Sequence, residues 1–115
     1  MSIKKLVWLG DSLKNIKDFP DEVKKEIGYV LHLIQSGKTH KSVKPFKGTQ
    51  PSSLEIVTSY NTNTYRTIYT IKINDVVYVL HCFQKKSKSG IKTPKEDVAL
   101  INKRLQDAIH LSKSN

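Results

Sequence analysis

The sequence predicts an α+β domain: a small antiparallel sheet with an N-terminal helical hairpin on one face and a C-terminal helix, in the order β-α-α-β-β-β-α. Three observations carry this reading. Residues 54–83 hold three strand-like stretches separated by short asparagine-containing breaks, the spacing of an antiparallel meander. Val23, Ile27, Val30, Leu31 and Ile34 fall on one helical stripe, and so do Val98, Ile101, Leu105, Ala108 and Ile109. At 115 residues, 37% hydrophobic and 26% charged, with no repeat and no linker, the chain builds one core and reads as a single domain over residues 1–115.

Ile3–Leu9 is a short apolar run broken only by Lys4 and Lys5, and reads as a strand ended by Gly10 and Asp11. Asp11 or Ser12 is placed to cap a short helix that carries Leu13 and Ile16. Phe19-Pro20 interrupts it, because proline is tolerated only in the first turn of a helix. The second helix starts at Pro20 and stops at Gly37, a residue suited to the left-handed C′ position. Residues 38–53 are polar, basic and rich in turn formers. They read as a long loop, of a length usually kept for function, tacked down by Val43, Pro45 and Phe46.

Leu54–Tyr60 and Thr64–Ile73 alternate, and Asn61-Thr62-Asn63 and Asn74-Asp75 supply the turns. Val76–Phe83 is apolar on both faces, as a central strand should be. Thr93-Pro94-Lys95-Glu96 has the form of a capping box, with threonine at the cap and proline in the first helical position. With the hairpin on one face of the sheet, the other face is expected to stay partly open.

Charge narrows the function. Twenty basic residues against ten acidic ones give a net charge of +10, and an isoelectric point near 9.7 is typical of nucleic-acid binders. No acid lies between Glu26 and Glu55, and none between Asp75 and Glu96, whereas the second interval holds five lysines. No apolar run approaches the roughly 18 residues of a membrane helix. The apolar stretch near the N-terminus lasts only about five residues, short of a secretory signal. A lone Cys82 forms no internal disulfide, so a cytoplasmic setting and no membrane partner are expected. His32, His40, His81 and His110 lack metal-ligand spacing with Cys82, and there is no glycine-rich phosphate loop and no nucleophile elbow. No metal and no cofactor are expected.

The remaining chemistry is cationic. Arg66 and Arg104 are the only arginines beside eighteen lysines. Arg66 lies mid-strand, on the face shared with Ile68 and Thr70, where a fixed guanidinium suits bidentate phosphate recognition. Lys85, Lys86 and Lys88 gather where the most apolar strand ends, which brings Lys85 or Lys86 within reach of Arg66, and clustered cations lower one another's pKa. Lys44 and Lys47 stand in the long loop as further phosphate contacts. His81, the one histidine inside a strand, is either a proton-transfer residue or a hydrogen-bonded core residue. Tyr65 is a candidate base-stacking residue, and Arg104 is expected in a surface or inter-helix salt bridge.

Taken in order, KPFKG (Lys44–Gly48), LEI (Leu54–Ile56), YRTIY (Tyr65–Tyr69) and VLHCFQKKSKSGIKTP (Val79–Pro94) resemble the phage-derived branch of RelE/HigB-like toxins. The Phe19-Pro20 break and the helix stop at Gly37 fit the same pattern. The resemblance implies a RelE-like fold and a toxin of a type II toxin–antitoxin system. It implies cleavage of mRNA in the ribosomal A site by attack of the 2′-OH on the adjacent phosphate, with basic residues and no metal. Its expected protein partner is a cognate antitoxin, a small helix-turn-helix protein. Arg66 matches the strand arginine that binds the scissile phosphate, and Lys85 and Lys86 match the basic strand end. Lys47 of KPFKG adds a phosphate contact. No aromatic or arginine after Pro94 matches the late catalytic residue of the best-known members, so the proton acceptor and donor stay unassigned. A gyrase-poisoning toxin of the same fold, and a non-enzymatic nucleic-acid or partner-binding domain, are the alternatives.

Overall fold

A computed structural model describes residues 3–85 and 93–113. The elements are β1 (Leu6–Trp8), α1 (Ser12–Lys17), α2 (Asp21–Gln35), β2 (Val43–Phe46), β3 (Ser53–Tyr60), β4 (Asn63–Ile73), β5 (Val76–Lys85) and α3 (Lys95–Lys113). Five strands form one sheet in the order β1-β5-β4-β3-β2. β1 runs parallel to β5, and every other neighbouring pair is antiparallel. The α+β class and the helix–strand order follow the expectation, with one strand added. Among the described residues, no helix is long and apolar enough to cross a membrane.

The added strand comes from the stretch read as loop. Val43 to Phe46 pair with Ile56 to Ser53, making β2 an edge. Pro45 donates no backbone hydrogen bond, and a lysine lies beside it; both features suit an edge and discourage further pairing. The other edge, β1, is only three residues long. β5, between β1 and β4, is the central strand its apolar run implied.

Turn chemistry fixes the meander. Asn61, Thr62, Asn74 and Asp75 all have positive φ, the signature of two-residue turns whose twist matches that of the strands. Tyr60 therefore pairs directly with Asn63, and the first break is one residue tighter than the sequence suggested. At the end of α2, Gly37 has φ +82. Its N–H donates to Ile34 O at 3.0 Å and that of Lys38 to Leu33 O at 2.8 Å, the paired bonds of a glycine-stopped helix. The start of α3 departs from the expected box. Val98 N–H donates to Pro94 O at 3.0 Å, so Pro94 takes the cap position and Lys95 opens the helix.

The sheet is covered on both faces. On one face Val23, Ile27, Val30 and Ile34 of α2 pack on Ile56, Tyr65, Tyr69, Val77 and Val79. On the other, Ile101, Leu105 and Ala108 of α3 pack on Leu9, Ile68, Tyr78 and Leu80. The second face, expected to be partly open, is closed along part of its length because the stripe of α3 needs an apolar surface to bury against.

One irregularity decides which side chains meet. His81 pairs with Ile68 and Val79 with Tyr69, so Leu80 is an extra residue in β5, a β-bulge. The bulge leaves a backbone carbonyl without a ladder partner, and Arg104 supplies one: Nη1 donates to Leu80 O at 3.0 Å. Its Nη2 donates to Asp11 Oδ1 at 2.6 Å. Asp11 holds the N-cap position of α1 but makes no side-chain cap bond, because its carboxylate is spent on Arg104. That hydrogen bond, more than the charge itself, holds the Asp11 carboxyl below its usual 3.8. Arg104, expected in a surface or inter-helix salt bridge, is thus in an ion pair that is buried on its own side and locks the bulge.

Gly10 makes room for it. Its φ is +53, and a Cβ there would meet the Arg104 guanidinium at 2.6 Å. Gly10→Ala combines a left-handed conformation with the eviction of a buried arginine. It is expected to lower unfolding free energy by about 3 kcal/mol, read as a fall in the urea midpoint with an unchanged slope.

Candidate phosphate-binding site

The bulge sets the facing of the last turn of β5. Cys82 belongs to the α2-side core, and Phe83 packs against the α3-side core. By register, Lys44, Glu55, Ile68 and His81 form one row across the sheet, and Val57, Arg66 and Phe83 the next. Thr64 and Lys85 lie one pair further on. Without the extra residue at Leu80, the alternation of β5 would send Lys85 to the opposite face from Arg66. The bulge is what brings the two cations onto one surface.

Arg66 and Glu55 form the centre. Arg66 Nη1 donates to Glu55 Oε1 at 2.7 Å, with both side chains largely buried. Arg66 Nε is buried and has no hydrogen-bond partner among the described residues. Lys85 is only 5% exposed, and its Nζ likewise has no partner among the described residues. Burial pulls the Lys85 ammonium below its usual 10.5, and the Arg66 charge pulls the same way, while Glu55 acts in opposition. A buried ammonium with no hydrogen-bond partner costs stability. It is the arrangement expected of a group that meets its anion only when a ligand arrives. By register Arg66 lies between Glu55 and Lys85, and the donors that the two cations leave unmet among the described residues, Arg66 Nε and Lys85 Nζ, match the several acceptor oxygens of a phosphate.

The other residues singled out in the sequence fall in different places. Lys44 is exposed and stands opposite Glu55, at the edge of the same face. Lys47 is exposed beyond Phe46, at the far end of β2 from Arg66. It is held there because Asn102 Nδ2 donates to Gly48 O at 2.9 Å. Lys86 and Lys88 lie outside the described residues.

Tyr65 is on the opposite face from Arg66, 4% exposed, with its ring 4.9 Å from that of Phe19. Strand alternation puts it in the α2-side core, where no ring face is free to stack on a base. His81 is buried too. Its Nε2 lies 2.8 Å from Asp97 Oδ1 and its Nδ1 3.4 Å from Arg104 Nη1. A guanidinium only donates, so Nδ1 accepts and the proton on Nε2 goes to Asp97. Both nitrogens are engaged and the ring stacks on Phe83 at 5.1 Å. The hydrogen-bonded core reading of His81 therefore fits its surroundings better than proton transfer. Burial pushes the Cys82 thiol up to about 12, which disfavours the thiolate form.

Glu55 is the residue that sequence reasoning missed. A signal for it existed, since it is the sole acid between Glu26 and Asp75. Among the described residues, no group of three His, Cys, Asp or Glu side chains is placed to hold a metal ion.

A family model described as phage-derived protein Gp49-like (DUF891) matches residues 14–106, a span that includes Lys44, Glu55, Arg66, His81 and Lys85. No curated protein and no solved structure matches the chain.

Proposed function

The chain belongs to the phage-derived Gp49-like family, and on that premise we propose that it is the toxin of a type II toxin–antitoxin system, a ribosome-dependent endoribonuclease that halts translation by cutting mRNA. The observation that carries the reading is the Arg66–Glu55 pair on the same face as the buried ammonium of Lys85, which has no hydrogen-bond partner among the described residues. Family membership and the +10 charge support it.

In this reading the scissile phosphate binds between Arg66 and Lys85. The phosphate draws Arg66 partly away from Glu55, which frees a carboxylate oxygen next to the reacting 2′-OH. Glu55 takes the 2′ proton as the O2′–P bond forms. The P–O5′ bond breaks, and O5′ leaves with a proton from Lys85, whose lowered pKa suits a donor. The products are a 2′,3′-cyclic phosphate and a 5′-OH. The pentacovalent transition state carries more negative charge than the bound phosphate, so two preorganised cations favour it over the ground state. Lys44 guides the flanking RNA backbone. Lys86 and Lys88 are assigned the same electrostatic role on the sequence evidence. The assignment to the ribosome-bound message rests on the resemblance of KPFKG, YRTIY and VLHCFQKKSKSGIKTP to RelE/HigB-like toxins.

Sequencing of RNA 5′ ends after induction tests this directly. New 5′-OH ends inside coding sequences, absent with Arg66→Ala, are the expected result. Steeply salt-dependent RNA binding with no new ends would reduce the protein to an electrostatic binder, and DNA damage with translation intact would point to gyrase.

A further inference from the structure

The face of the sheet away from Arg66 is not fully covered. α2 stops at Gln35, and at its end Ile34 joins Val43, Leu54, Tyr69 and Ile71 in lining a depression of about 590 Å³. A second depression of about 330 Å³ continues from Leu54 and Ile71 to Pro45. Leu54 and Ile71 line both depressions, which adjoin there and together make up the groove. Val43, Leu54 and Ile71 face the α2-side core yet are only partly buried, because the helical stripe ends before it reaches them.

The rim has a distinct charge. Lys4, Lys38 and Lys72 stand around the groove against one carboxylate, Asp75. That carboxylate is already neutralised by Lys4 at 3.2 Å. An occupant must therefore bring apolar side chains for the floor and carboxylates for the rim. A second copy of this chain, itself at +10, would set lysine rims against each other. A nucleic acid would satisfy the rim and leave the floor exposed to water. We infer that this groove docks an acidic amphipathic segment of a partner protein, with apolar residues flanked by Asp or Glu, on the face opposite Arg66 and Lys85. The inference takes from the proposed function only that a neutralising protein partner exists, and it assigns that partner a site that leaves the phosphate-binding residues uncovered.

The test uses the full chain and, as probe, the purified product of the open reading frame adjacent to its gene, titrated by calorimetry. Lys38→Glu with Lys72→Glu reverses two exposed rim charges and should weaken binding by about tenfold or more, with melting temperature and RNA cleavage unchanged. Leu54→Thr keeps strand propensity while removing apolar floor, and should weaken binding by about fivefold. Wild-type affinity in both folded variants would overturn the inference while leaving the ribonuclease reading intact. No binding by the wild-type chain, a groove-dependent dimer in sedimentation, or competition by RNA for the same lysines would also overturn it. Groove-dependent binding combined with no cleavage in any assay would sink the ribonuclease reading and leave the docking site standing.

Discussion

Arg66→Ala is expected to lower RNA cleavage by about a hundredfold to a thousandfold, the scale seen when one preorganised donor to a developing anion is removed. The same change leaves Glu55 as a largely buried carboxylate without its partner, since the 2.7 Å ion pair is lost. A stability loss of about 2 kcal/mol should accompany it, so activity alone does not isolate the chemistry. Glu55→Gln combined with Arg66→Gln resolves this, because two neutral amides can hydrogen-bond in place of the pair. The double variant should recover most of the lost stability and none of the activity. Glu55→Gln alone separates roles further. If Glu55 accepts the 2′ proton, turnover should fall with little change in RNA affinity, and the low-pH limb of the rate profile should vanish. An unchanged profile would leave Glu55 as a positioning residue for Arg66.

Lys85→Met is expected to do two opposite things. Cleavage should fall by about a hundredfold, and the protein should become more stable by about 1 kcal/mol, because methionine fills the same space without a charge to desolvate. The pH dependence gives an independent readout. The folded-state pKa of Lys85 lies below the ordinary 10.5, so below both values each state carries the proton and the fold bears the full cost of the buried charge. As pH rises toward 10.5 the folded state releases its proton first, the unfolded chain binds more protons, and stability increases. Wild-type protein should gain stability relative to Lys85→Met across that alkaline window, narrowing the gap between them. Lys85→Arg, which keeps the charge, should retain more activity than Lys85→Met. A Lys85→Met variant that loses stability would mean that the ammonium is satisfied in the folded protein, and would remove the argument that it awaits an anion.

The parts of this fold legible in the sequence are those set by local periodicity. The stripe of α2, the Gly37 stop and the Asn74-Asp75 turn each depend on residues a few positions apart. Strand alternation was enough to put Arg66 with Ile68, and by the same rule it puts Tyr65 on the other face, among core residues. What escaped depended on distant partners. β2 is four residues including a proline, too short to show a period, and exists because β3 offers it an edge. The bulge at Leu80 sits in a run that is apolar on both faces, so no change of phase is visible there. Glu55 and Arg66 are eleven residues apart in the chain and meet only through the β3–β4 register. His81 gave an ambiguous signal because its two partners, Asp97 and Arg104, come from a helix that follows it.

The bond between Arg104 and Asp11 spans 93 positions of the chain, and among the described residues β1 has β5 as its one strand partner. Both facts bear on timing during synthesis. The first strand is made early, yet it has nothing to pair with until the fifth has emerged. The bulge that aligns Lys85 with Arg66 has no anchor until residue 104 follows. Such late, long-range closure makes folding slow relative to helical domains. It also means that a nascent chain carries Glu55, Arg66 and Lys85 before their relative placement is secured, which happens only as α3 docks and Arg104 reaches Leu80 and Asp11.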